Sequence, residues 1–159
     1  METFSNKVFE ELGLNINFIQ DNQSFSAQKG TLRGLHFQLN PKAQTKLIRC
    51  TKGKILDVAV DIRKGSPTYK KWVSVELTEE NKKQLLIPKG FAHGYSVLSE
   101  TAEVFYKCDE FYNTECEGGI IYNDATLNIN WQIPADKAII SEKDKYHPGL
   151  NNCINNFSF

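Results

Sequence analysis

The chain has three histidines in 159 residues, so each can be weighed as a base or as a ligand. His36 lies in Arg33-Gly34-Leu35-His36-Phe37-Gln38, His93 in Gly90-Phe91-Ala92-His93-Gly94, and His147 in a polar segment beside Pro148. An imidazole titrates near neutral pH and can serve as a general base with little perturbation. The setting of His36 favours that role. Arg33 precedes it by three residues and Lys46 follows it by ten. Fixed cations beside a base suit a phosphate ester whose reaction builds negative charge on oxygen. Taken alone, His36 reads as readily as a satisfied structural histidine, and neither cation is specific by itself. Tyr106 is the next candidate. A phenol could donate a proton from the side opposite a histidine base, or it could be a core tyrosine with a satisfied hydroxyl. Asp144, in Ser141-Glu142-Lys143-Asp144, reads by itself as a solvated surface acid.

Metal chemistry is not expected. Metal-holding barrels commonly offer an H-x-H pair, but the position two after His36 is Gln38. An all-imidazole site would require the three histidines to converge from distant points. The four cysteines, Cys50, Cys108, Cys116 and Cys153, form no C-x-x-C pair. They read as ordinary thiols rather than as a disulfide framework or a zinc site. No cofactor and no metal are therefore expected.

The elements that must position these residues are mostly strands. Residues 55–63 alternate, with Leu56, Val58, Val60 and Ile62 on one face and Asp57, Ala59, Asp61 and Arg63 on the other. Thr51–Lys54, after the apolar run Lys46–Cys50, reads as a hairpin turn. Further strands are expected at Trp72–Leu77, Gln84–Ile87, His93–Leu98 and Ala102–Cys108. In the last, Tyr106 shares a small apolar face with Ala102, Val104 and Cys108. Turn signals stand at Gly65-Ser66-Pro67, Pro88-Lys89-Gly90 and Glu117-Gly118-Gly119. Short, closely spaced strands predict an all-β sandwich or barrel. Ser5 is expected to cap a short helix over Asn6–Leu12, with Val8, Phe9 and Leu12 on one side and Gly13 as its stop. Residues 1–150 read as one domain, and 151–159 as a polar tail that trails over the surface or frays.

The formal net charge of zero, with acids and bases interspersed, argues against a general nucleic-acid binder. No stretch is apolar enough to cross a bilayer, and no N-terminal run looks like a signal peptide. A cytoplasmic protein with no membrane partner is expected.

In register, these segments resemble the dTDP-4-dehydrorhamnose 3,5-epimerase family. The resemblance runs from about Glu2 to Pro148 and includes F-I-Q-D-N at 18–22, G-T-L-R-G-L-H-F-Q at 30–38 and K-L-I-R-C at 46–50. It continues through G-K-I-L-D-V-A-V-D-I-R at 53–63, S-P-T-Y at 66–69, I-P-K-G-F-A-H-G at 87–94, A-E-x-x-Y-K at 102–107, Asn123-Asp124 and S-E-K-D at 141–144. Each segment is moderately specific; all of them in order are highly specific.

The resemblance implies a cupin-like antiparallel jelly-roll barrel with a few short helices, usually a homodimer, with the site inside the barrel. It implies epimerisation at C3 and C5 of dTDP-4-dehydro-6-deoxy-D-glucose to dTDP-4-dehydro-L-rhamnose, as in rhamnose biosynthesis. Proton removal beside the C4 ketone gives an enolate, so no cofactor is needed. By position, His36 matches the base and Asp144 the carboxylate paired with it. Tyr106 matches the proton donor on the opposite face, and Lys46 the cation that steadies the C4 oxygen. His93 matches a substrate-site histidine, and Gln20, Asp21 and Asn22 a substrate-contacting stretch. Arg33 and Lys143 match residues around the diphosphate, Glu117 a nucleotide-side residue, and Tyr112 an aromatic against thymine. The family pattern also carries a D-x-R-G element ahead of Glu2. Lacking its arginine is expected to weaken nucleotide binding by about 1.5–3 kcal/mol. Two alternatives stay open: an epimerase acting at one carbon or on another nucleotide sugar, and a catalytically silent sugar-nucleotide-binding module.

Overall fold

Alternation along the chain resolves into ten strands in a computed structural model that describes residues 1–159. In chain order they are β1 (Gln20–Ser26), β2 (Thr31–Gln38), β3 (Lys46–Lys52), β4 (Lys54–Asp61) and β5 (Trp72–Thr78). There follow β6 (Gln84–Ile87), β7 (Phe91–Val97), β8 (Ala102–Cys108), β9 (Glu117–Gly119) and β10 (Ile139–Ile140). Two short α-helices flank them, α1 (Asn6–Glu11) and α2 (Glu142–Lys145). One sheet runs β1-β8-β3-β6; the other runs β10-β2-β7-β4-β5, with β9 also paired to β2. Only the β10–β2 pairing is parallel; every other pairing between these strands is antiparallel. The strands expected over 55–63, 72–77, 84–87, 93–98 and 102–108 are present as β4 to β8, within a residue or two at their ends. No helix is long and apolar enough to cross a membrane.

Two apolar clusters hold the sheets. The inner one joins Ile48, Cys50, Ala102 and Val104 of the four-stranded sheet to Ile55, Ala59 and Val97 of the other. The outer one packs Leu56, Val58, Val60 and Ile62 beneath Ile120, Trp131, Leu150 and Phe157 from the C-terminal third. Strand β4 is thus buried on both faces, and the two faces read from its alternation divide between the two clusters. Each fully buried Ile, Leu or Val contributes about 1.5–3 kcal/mol.

Beyond β4, a loop is fixed by one carboxylate. Asp61, 1% exposed, accepts hydrogen bonds from the backbone N–H, Nε and Nη2 of Arg63 at 3.0, 2.9 and 2.7 Å. It also accepts from the hydroxyls of Ser66 and Thr68 at 2.5 and 2.6 Å. Burial alone would raise this carboxyl; its five donors outweigh that and hold it well below the ordinary carboxylate range.

Three expectations are corrected. The Thr51–Lys54 turn is not a hairpin: β3 belongs to the four-stranded sheet and β4 to the other, so the turn crosses between sheets. Gly53 permits the crossing with φ +75, where any Cβ would collide with the Thr101 carbonyl. Ser5 occupies the N-cap position of α1, but its side chain caps nothing, and Val8 and Leu12 stay exposed in this chain. Residues 151–159 do not trail away: Phe157 is buried in the outer cluster, the Asn155 amide donates to Ile62 O, and Ser158 bridges Lys64.

Candidate functional site

The inner apolar cluster does not fill the space between the sheets. A cavity of about 710 Å³ remains, walled by both. Strand β2 supplies Arg33 and His36, and β7 supplies His93, from the six-stranded side. Across from them, β1 supplies Gln20 and Asn22, β3 supplies Lys46, and β8 supplies Tyr106. The candidate base and the candidate phenol therefore stand on opposite walls of one cavity.

His36 is oriented by the far end of the chain. Ser141 caps α2, its hydroxyl accepting from Asp144 N–H at 3.2 Å, and so sets the position of Asp144. One carboxylate oxygen of Asp144 then meets His36 Nε2 at 3.0 Å, and the other accepts the Gly34 N–H at 3.1 Å. The aspartate side chain is 4% exposed and the histidine 29%, on the cavity side. Burial alone would raise the Asp144 carboxyl; the hydrogen bond and charge of His36, helped by Gly34 and His147, pull it down to about 2. The other ring nitrogen of His36, Nδ1, has no protein partner. Asp144, which reads as a surface acid by sequence, is thus a buried partner of the imidazole.

Gly34 makes this possible. Its φ is +116, at the irregularity where the β2–β7 register shifts. A Cβ there would stand 2.7 Å from Gly94 Cα and from the His93 carbonyl oxygen, so a larger residue would push β2 off β7.

A second imidazole–carboxylate pair lies next door. His36 and His93 are cross-strand neighbours, and His93 Nε2 meets Asp57 Oδ1 of β4 at 2.6 Å. Asp57 is 0% exposed, and its Oδ2 has no hydrogen-bond partner. Asp57 escapes a sequence reading, although an acid on an inward strand face beside Ala59 is a usable signal. His147 is also missed. It lies one helical turn beyond Asp144, with Nε2 3.5 Å from Asp144 Oδ1 and its ring edge-on to His36, centroids 5.3 Å apart. Ligand atoms of His36, Asp144 and His147 lie within 4.8 Å of one another and are the group here with metal-ligand spacing.

On the opposite wall, Lys46 projects its ammonium 5.9 Å from the centre of the Tyr106 ring. Burial lowers the Lys46 ammonium, against the opposing pull of Cys108, Asp57 and Glu117. Burial also raises the Tyr106 phenol, which therefore keeps its proton through the neutral range. Cys108, paired in register with Lys46, is a buried thiol raised to about 11 by desolvation. It is neutral wall at neutral pH.

The cavity mouth is polar. Tyr112 donates its hydroxyl to Glu117 at 3.0 Å, and the ammonium of Lys143 pairs with the same carboxylate. Burial would raise Glu117, but these two donors hold it below its ordinary value. Gln20 accepts weakly from the Tyr112 N–H at 3.4 Å and donates to Asn22 at 2.9 Å. Arg33 is exposed, its guanidinium donating one long hydrogen bond to the Phe25 carbonyl at 3.5 Å. Asp21 is corrected. Period two turns it away from Gln20 and Asn22, out of the cavity, where it pairs with Lys107 at 2.9 Å.

Residues 1–152 match the model of the family described as dTDP-4-dehydrorhamnose 3,5-epimerase. A protein of that description from Shigella flexneri is 55% identical over 91% of this chain and 78% of its own length. The crystal structure of dTDP-4-dehydrorhamnose 3,5-epimerase from Elizabethkingia anophelis NUHP1 superposes with a TM-score of 0.91, at 51% identity over 95% of this chain and 82% of that one. A dTDP-6-deoxy-D-glucose-3,5-epimerase from Legionella pneumophila, solved with dTDP-4-keto-L-rhamnose, gives 0.90 at 48% identity, covering 95% of this chain and 79% of that one.

Proposed function

We propose that this chain, which belongs to the dTDP-4-dehydrorhamnose 3,5-epimerase family, works by proton exchange between the two walls of its cavity. It is an isomerase that epimerises carbons 3 and 5 of dTDP-4-dehydro-6-deoxy-D-glucose. The C4 ketone acidifies the hydrogens on both neighbouring carbons, because each carbanion is an enolate. His36 takes a proton from one face of the ring. Asp144 fixes the imidazole and balances the imidazolium that forms. Charge arriving on the C4 oxygen is met by the buried Lys46 ammonium, where a preorganised cation supplies several kcal/mol. Tyr106 returns a proton from the other face, and its raised pKa keeps that proton available. His93, backed by Asp57, lines the ring site beside His36. Arg33 and Lys143 hold the diphosphate, Tyr112 stacks on thymine, and Glu117, Gln20 and Asn22 complete the nucleotide and sugar contacts.

The observation that carries this reading is the placement of His36 and Tyr106 on opposite sheets around one cavity. No step in it calls on a metal or cofactor. The exposed apolar side chains Val8, Leu12 and Phe25 support a homodimer, and four free cysteines suit a reducing cytoplasm. The test is turnover of dTDP-4-keto-6-deoxyglucose in deuterated water. Deuterium is expected at carbons 3 and 5 of the product. Uptake at a single carbon would mark a mono-epimerase, and none at either would end the enzymatic reading.

A further inference from the structure

We propose that His36, Asp144 and His147 form an inhibitory site for a late first-row divalent metal, zinc foremost, which captures the base and stops proton exchange. The inhibitory part rests on the assignment of His36 as the base.

Geometry carries the proposal. Zinc bound tetrahedrally at about 2.0–2.1 Å from each ligand holds neighbouring ligand atoms about 3.3–3.4 Å apart. Here Asp144 Oδ1 stands 3.0 Å from His36 Nε2 and 3.5 Å from His147 Nε2, and all three atoms fall within 4.8 Å of one another. The two edges at Asp144 thus lie within a few tenths of an ångström of that spacing, and the edge between the two imidazoles, no longer than 4.8 Å, closes toward it as the third corner is drawn onto the metal. Two imidazoles and one carboxylate are a donor set that zinc takes readily and that magnesium or calcium does not.

A second observation points the same way. His147 Nε2 is closed off from solvent, yet it has no hydrogen-bond partner. A buried ring nitrogen left without a partner is uncommon and calls for a cause. The ring is seated on bare backbone at Gly119, where any Cβ would collide with it. Strand β9 pairs Gly119 directly with His36, so this seat fixes His147 edge-on to the candidate base. His147 is no part of the cavity wall, whereas His36 and Asp144 are. The proton exchange therefore makes no use of it. On binding, the metal takes the His36 nitrogen that Asp144 otherwise holds; the proton on that nitrogen moves to Nδ1, which can then accept no proton from a substrate.

The test uses the whole, tag-free chain. In buffered ZnCl₂ the epimerisation rate of wild type is expected to fall as free Zn²⁺ rises, and to recover with EDTA. The His147→Asn variant, measured against its own metal-free rate, should need at least about tenfold more Zn²⁺ for the same inhibition. Without substrate, Co²⁺ should give visible ligand-field bands with wild type that are lost in His147→Asn and in His36→Ala. No cobalt bands, or equal zinc sensitivity in wild type and His147→Asn, would overturn the site and leave His36 standing as the base. Cobalt bands with undiminished turnover would overturn the inhibitory role and count against His36 as the base. Should His147→Asn fail to fold, X-ray absorption of the wild-type zinc complex decides: two imidazole scatterers are expected, and fewer would overturn the proposal.

Discussion

His93 meets Asp57 at 2.6 Å within the six-stranded sheet, whereas His36 meets Asp144 at 3.0 Å only because a helix near the C-terminus is brought against β2. The first pair is the more buried, with side chains 11% and 0% exposed; in the second the histidine is 29% exposed to the cavity. Asp57 has an oxygen with no partner, while Asp144 spends both oxygens, on His36 and on Gly34 N–H. The same two residue types thus serve different ends. A pair set rigidly in a sheet shapes the wall. A pair completed by a capped helix presents one imidazole to the cavity.

That contrast can be broken or sharpened by substitution. The largest effect is expected from His36→Ala, which should cut the rate of deuterium exchange by about 10²–10⁴ while leaving the fold intact. A comparable loss of rate from His93→Ala, with His36→Ala mild, would reverse the two roles. Next, Asp57→Ala should lower unfolding stability by about 3–5 kcal/mol, as for removal of one partner from a buried pair. Asp144→Ala should cost less in stability than in rate, and denaturant unfolding beside kinetics separates the two.

Asp61 serves as a control: a buried aspartate paired with arginine rather than histidine, remote from the reaction. Asp61→Asn should lose about 1.5–3 kcal/mol at neutral pH without changing the exchange rate per folded molecule. Its carboxyl is depressed in the fold, so its contribution is present above the unfolded value of about 4 and is lost as pH falls toward the folded one. The stability gap between wild type and variant should therefore close on acidification. The smallest effect concerns the opposite wall. Because burial lowers the Lys46 ammonium, the alkaline limb of the pH–rate profile should fall below the ordinary lysine range, and Lys46→Arg should move that limb upward.

The contrast also shows what could be read from sequence. Strand β4 alternates in chemistry although it is buried on both faces, and β8 sets buried Ala102, Val104 and Cys108 between less buried residues, so these strands and the inward face of Tyr106 were legible. Strand β1 alternates in burial alone: Gln20, Asn22 and Ser24 face a polar cavity and Asp21, Gln23 and Phe25 face outward, which leaves no apolar stripe to find. The same alternation removed Asp21 from the site. Strand β2 is buried on both faces and bulged near Gly34, so periodicity fails there too, and His36 was found by its neighbours instead. The pairing of Asp144 with His36 reached the sequence only through family resemblance, because nothing local signals a contact across most of the chain. His147 had a local signal, one turn from Asp144. The Thr51–Lys54 turn was misread because a turn reveals a reversal of direction but not which sheet receives the next strand.

The central claim is that protons leave and return from opposite walls. Tyr106→Phe in deuterated water tests it most directly, with exchange at carbon 3 and inversion at carbon 3 followed separately by NMR. The account predicts that exchange persists, carried by His36, while inversion drops, because the far wall has lost its proton. Inversion at the wild-type rate in Tyr106→Phe would contradict it.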